Sequence, residues 1–223
     1  MKHNTVMTIY EDPTHERSIV IERWIVRLKI YYPDLLIQRV FYSQYEHNAW
    51  IVESIRTFQA ACPQGTFIFV HRIKEMLFYQ AETLTWEDLE DYAHEVGHIL
   101  LKKSFTWTPF GIEAPMISLE RDQQLLFTSN SFNDMIPYIE KVIPKMTPLL
   151  TDSELIALFD HIERLNWEEL LFIYQEQKDR LQSIIERLFN QQVIKMRHLG
   201  STILIKTPAT TYCCEGDECC CQF

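Results

Sequence analysis

The stretch Thr85-Trp86-Glu87-Asp88-Leu89-Glu90-Asp91-Tyr92-Ala93-His94-Glu95-Val96-Gly97-His98-Ile99-Leu100 is the best-defined element in the sequence. Thr85 stands where an N-cap is expected, and Asp88, three residues on, occupies the partner position of a capping box. Leu84 and Leu89 sit where a hydrophobic staple closes over a first turn. Leu89, Ala93, Val96 and Leu100 recur at helical spacing, at about 100° per residue. Lys102 and Lys103 suit the negative end of the helix dipole. The pattern predicts a helix over about residues 86–103 and makes the fold one in which helices dominate.

On that helix His94 and His98 are four apart, with Glu95 beside the first. Two imidazoles one turn apart on one face can bind one Zn²⁺, and an adjacent Glu can take a proton from metal-bound water. The same residues also read as the solvated face of an amphipathic helix, since they lie opposite the apolar stripe beside Glu87, Glu90 and Asp91. Gly97 costs about 0.8–1.0 kcal/mol relative to Ala in a helix interior, so the position asks for a reason.

Tyr92-Ala93-His94-Glu95-Val96-Gly97-His98-Ile99-Leu100 resembles the zincin (HExxH) metallopeptidase signature, and its form is similar to the motif of the ImmA/IrrE-type regulatory proteases. The resemblance covers about residues 91–100; Asp91 departs from it. It implies a zinc-dependent peptidase with His94 and His98 as ligands and Glu95 as general base. The metzincin extension is absent, because Leu101 and Ser104 stand where its Gly and third His would be. A downstream carboxylate is then the expected third ligand, Glu120 first, with Glu113, Asp122 and His161 after it.

The flanking sequence reads outward from this helix. Val6 to Tyr10 and Leu35 to Phe41 are candidate strands. Asp12-Pro13 is a helix start, followed by Ile19, Ile21, Trp24, Ile25, Leu28 and Tyr31 at helical spacing and a stop at Pro33. His47 to Ala61 reads as a helix, Thr66 to Val70 as a β-rich run after the turn Pro63-Gln64-Gly65, and Lys74 to Glu82 is ambiguous. Met116 to Leu119 and Leu125 to Thr128 fit either a hairpin around Arg121 to Gln124 or one helix. Thr151-x-x-Glu154 and Asn166-x-x-Glu169 are capping signals, the second opening a helical stretch to about Phe189, and Ser201 to Thr207 is a last strand. The expected fold is α+β, a mainly helical single domain over 1–207 with a small β-sheet, then a Cys-rich tail over 208–223.

Composition narrows the partners. Hydrophobic residues make up 47% of the 223 residues, enough for a sizeable core, and the formal charge of −10 speaks against a duplex nucleic-acid binder. No apolar run suits a membrane span or a signal peptide, so the expectation is a soluble cytoplasmic protein acting on a protein or peptide, without nucleic acid or membrane. Five of six cysteines, Cys213, Cys214, Cys219, Cys220 and Cys221, crowd into the last eleven residues. That is no disulfide framework; such thiolates suit Zn²⁺ or Cu(I) capture, redox sensing or crosslinking. A non-enzymatic interaction or assembly protein with such a tail is therefore the alternative to the peptidase. Cys62 reads as a core residue.

Overall fold

Strand β1, Thr5–Glu11, is a mostly buried run rich in β-branched residues and lies inside the first sheet. It lies parallel to β2, Leu36–Phe41, with Val6 opposite Leu36 and Glu11 opposite Phe41. Parallel strands need a crossover, and α1, Ile21–Tyr31, provides it, burying the predicted stripe Ile21, Trp24, Ile25, Leu28 and Tyr31. Strand β3, Met116–Arg121, runs antiparallel to β1, and β4, Gln124–Ser129, antiparallel to β3. The order is β2-β1-β3-β4. Met116 to Thr128 is thus a hairpin. Its two turn residues, Asp122 and Gln123, both have positive φ, 51° and 68°, the backbone that matches the right-handed twist of paired strands.

The computed structural model describes residues 4–80, 83–100, 105–109, 111, 115–161, 164–199 and 201–206. The chain is α+β and mainly helical, as the periodicity predicts. It divides into two compact units, Met1–Leu149 and Leu150–Phe223, where the sequence reading draws one domain to residue 207. Pro144 and Pro148, just before position 149, are the compositional mark of the division, one that the sequence reading does not use.

In the first unit, one sheet face buries Met7, Ile9, Ile117 and Leu119 completely. α5, Phe132–Val142, follows β4; Phe132 stacks on Trp24 at 5.2 Å, and Tyr138 on Phe127 at 3.9 Å. Between β2 and β3 lie α2, Ala49–Ala61, α3, Thr66–Lys74, and α4, Trp86–Glu95. They form an apolar cluster of their own around Ile55, Phe58, Phe69, Ile73, Leu89 and Ala93. The expected β-run Thr66 to Val70 is helical: Phe69, Val70 and Ile73 meet α2 only at helical spacing, and that burial overrides the β-preference of Thr, Phe, Ile and Val. Gly65 permits the close approach there, since a Cβ would stand 3.0 Å from Cys62 Sγ and 3.1 Å from Phe58. The α3 rod continues as a π-helical segment, Glu75–Gln80.

In the second unit, α6, Asp152–His161, opens with the predicted capping pair: Glu154 N–H donates to Thr151 Oγ1 at 3.3 Å and Thr151 N–H to Glu154 Oε2 at 2.8 Å. β5, Arg164–Asn166, leads into α7, Trp167–Ile173, where Asn166 Oδ1 accepts from Glu168 N–H at 2.8 Å. The single helical stretch expected to Phe189 is interrupted at 174–177, after which α8, Lys178–Asn190, begins. β6, Ile194–Leu199, and β7, Ser201–Lys206, form a hairpin, and the sheet order is β5-β7-β6. β6 is absent from the sequence reading because its alternation, Ile194-Lys195-Met196-Arg197, is short and breaks at His198-Leu199. The tail from residue 207, with all five of its cysteines, lies outside the described residues.

Candidate functional site

The motif helix begins as its sequence dictates and ends early. Asp88 N–H donates to Thr85 Oγ1 at 3.3 Å, and Asp88 Oδ2 accepts from Thr85 N–H at 2.7 Å, a complete capping box. The other end is a correction to the predicted span of 86–103: α4 stops at Glu95. Gly97 has φ +74°, Gly97 N–H donates to His94 O at 2.8 Å, and His98 N–H donates to Ala93 O at 2.9 Å. Those two bonds and a left-handed glycine define the Schellman helix stop. Gly97 is therefore no mid-helix glycine. It terminates α4, and its lack of a side chain is what the left-handed backbone requires.

His98 consequently leaves the helix face that carries His94. Its ring meets Phe58 edge-on, centroids 5.3 Å apart, taking the place where a residue past a Schellman stop packs back on its neighbours. His94 and Glu95 are exposed. Glu95 Oε2 accepts from Arg72 Nε at 3.2 Å, and Arg72 also donates to Glu75 Oε2 at 3.2 Å, so the proposed base is tied to a guanidinium of α3. Burial, with Asp88 next to it, pushes the Tyr92 phenol up.

The expected third ligand is placed elsewhere. Glu120 stands in β3 opposite Val6 and borders an open groove of about 520 Å³ with Asn4, Thr8, Gln38, Asp122 and Gln123, none of them from α4. Glu113, the His161 side chain and the tail cysteines lie outside the described residues. Among the described residues, no group of three or more His, Cys, Asp or Glu side chains is arranged to hold a metal ion. With α4 ending at Glu95, His94 and His98 are not the i, i+4 helical pair from which the expectation was drawn.

What the sequence reading missed lies at the carboxyl ends of β1 and β2. Four charged side chains are buried together there. Lys74 Nζ reaches Glu11 Oε2 and Glu22 Oε2, each at 2.9 Å, and Ser18 O at 2.8 Å. Arg39 reaches Glu11 Oε1 at 2.5 Å and Glu22 Oε1 at 2.6 Å. Burial pushes the Glu22 carboxyl up, but Lys74 and Arg39 outweigh it and hold the group at about 2. Burial pulls the Arg39 guanidinium down, and Glu11 and Glu22 more than reverse it, so its proton is held more tightly than usual. The quartet is neutral overall and ties β1, α1, β2 and α3 to one point. A charged residue inside the apolar stripe of α1, Glu22 between Ile21 and Trp24, is the sequence signal that could have found it.

Just beyond it, Asp12 is fully buried, and its predicted role as a helix start is replaced by a different one. Oδ1 accepts from Thr14 N–H at 2.9 Å and from Thr14 Oγ1 at 2.6 Å, while Oδ2 accepts from Gln44 N–H at 2.7 Å. One carboxylate therefore clamps the loop after β1 to the loop after β2. Asn48 Nδ2 adds a bond to Thr14 Oγ1 at 3.0 Å. On the second loop Ser43 Oγ donates to Tyr45 O at 2.6 Å, and Ser43 O accepts from Trp107 Nε1 at 3.2 Å. Tyr45 stacks on His47 at 5.6 Å. Tyr45 and Phe105 are 50% and 41% exposed, high for aromatic side chains.

In open sheets the crevice outside the carboxyl ends of parallel strands is the usual ligand-binding position. A C-x-x-C at the turn of such a βαβ unit would make a thioredoxin-like redox centre. Here the turn reads Asp12-Pro13-Thr14-His15-Glu16-Arg17-Ser18, without a cysteine. No protein-family model and no curated protein matches the chain.

Proposed function

We propose that the first unit is a non-catalytic, cytoplasmic protein-binding module whose contact surface is the clamped pair of loops after β1 and β2. The observation that carries this reading is the display of Tyr45 and Trp107 on or against loops that Asp12 and Ser43 hold in place. Aromatic side chains dominate binding hot spots, and a rigid display lowers the entropy lost on association. The tail cysteines would add soft-metal binding or crosslinking to an assembly role. A photo-crosslinking residue at position 45 of the full chain tests the reading. One defined partner should crosslink there, the product should vanish in Trp107→Ala, and the same probe at Glu53 should give none. Identical products from positions 45 and 53 would end the proposal.

The zinc-peptidase reading of His94, Glu95 and His98 keeps the pentapeptide in its favour. It requires residue 98 to rejoin the helix face of His94 and a third ligand from outside the described residues.

A further inference from the structure

The second unit has a feature the first does not use. α7 and α8 are joined by only four residues, 174–177, the connection of a helix-turn-helix, whose second helix reads the DNA major groove. One face of α8 is core, burying Leu181, Ile184, Ile185 and Leu188. Leu170, Ile173 and Tyr174 are also buried around the turn. The opposite face leaves Asp179, Gln182, Ser183 and Glu186 exposed. α8 then runs into the β6–β7 hairpin, and β7 pairs with β5, which precedes α7, so the hairpin is fixed to the helix pair as a wing.

The charge of the chain is not spread evenly. Residues 178–206 hold six cations, Lys178, Arg180, Arg187, Lys195, Arg197 and Lys206, against two acids, Asp179 and Glu186. Residues 150–177 hold seven acids against Arg164 alone. A chain-wide −10 argues against a duplex binder only when the charge is uniform, and here residues 178–206 are net basic while residues 150–177 are net acidic. Two of the cations have internal work: Arg180 donates to Leu150 O, and Arg187 pairs with Asp152 through both Nε and Nη2, fastening α8 to the start of α6. Lys178 at the start of α8 and Lys195 in β6 are exposed.

We propose that residues 150–206 are a winged helix-turn-helix that binds duplex DNA, with α8 entering the major groove and the β6–β7 hairpin lying along the phosphate backbone. Lys178 and Lys195 contact phosphates. Gln182 and Ser183 stand where base edges are read, glutamine matching adenine and serine either partner, and Glu186 is suited to accept from cytosine N4. Glu186 therefore belongs to base reading, and the lysines to electrostatic attachment.

The test uses the full chain and a fluorescein-labelled duplex of about 25 bp, followed by anisotropy between about 50 and 200 mM salt. Saturable binding that weakens with salt is expected. Lys195→Glu should weaken it about tenfold or more for any sequence and lower the log–log salt slope by about one. Gln182→Ala should keep salt-dependent binding but change the sequence enriched from a random duplex pool. Circular dichroism checks that both variants fold, and Lys195→Gln gives a milder change of the same sign. No binding by the wild type at about 50 mM salt, or wild-type binding by folded Lys195→Glu, would overturn the proposal. A dimer that Lys195→Glu dissociates, without duplex binding, would assign the face to self-association and overturn it equally.

Discussion

Replacing Gly97 with alanine separates the two readings of the HEVGH segment by the sign of a stability change. If residue 97 were inside a helix through 103, Gly97→Ala would stabilise by about 0.8–1.0 kcal/mol. At φ +74° the same substitution forces an L-residue into the left-handed region, at about 1–2 kcal/mol. The added Cβ meets nothing within 4 Å, so no clash adds to the backbone cost. Loss of unfolded-chain freedom offsets about 0.4–1 kcal/mol. The net expectation is destabilisation of about 1 kcal/mol, a fall in Tm of about 2–4 °C for a chain of this size. Urea unfolding with an unchanged m-value should show a lower midpoint. Gly97→Asn, which tolerates the left-handed region better, should lose less. A raised midpoint for Gly97→Ala would refute the helix stop and return residue 98 to the helix.

The buried quartet makes two further predictions. Glu22 is held at about 2 in the fold against an ordinary 4.5, so the stability it contributes is complete above about pH 4.5 and is lost as pH falls towards 2. That loss is worth about 3 kcal/mol and should appear as a stability slope in acid urea titrations that Glu22→Gln flattens. Lys74→Ala leaves Glu11 and Glu22 short of a cation and should destabilise by about 3–5 kcal/mol, read from the urea midpoint at neutral pH; a loss below about 1 kcal/mol would mean that Arg39 alone suffices.

Much of the fold is legible from local chemistry. The stripe from Ile21 to Tyr31 and the capping pairs at Thr85 and Thr151 follow from spacing and cap residues, whereas the segment around Asp122, open in sequence between a hairpin and one helix, is decided by the pairing of β3 with β4. Thr66 to Val70 reads wrongly because the packing of Phe69 and Ile73 on α2, a tertiary contact, outweighs local preference. The break at 174–177 is hidden because Gln175, Glu176 and Gln177 are good helix formers, and only the pairing of β5 with β7 shows why the chain must turn. The helix span is overread through one glycine: His94 and His98 have helical spacing in sequence, but Gly97 between them is also the residue a helix stop demands. The clamped loops were out of reach, since Asp12 and Gln44 meet only once β1 and β2 are parallel neighbours.

Zinc content is the most direct measure of whether HEVGH is a helix terminus or a metal centre. It should be taken on full-length protein whose five tail cysteines are serine, so that tail thiolates contribute nothing, with and without His94→Ala and after zinc reconstitution. The helix-stop account predicts the same content, well below one ion per chain, in both proteins. About one zinc per chain that disappears with His94→Ala would contradict it and establish the peptidase-type site.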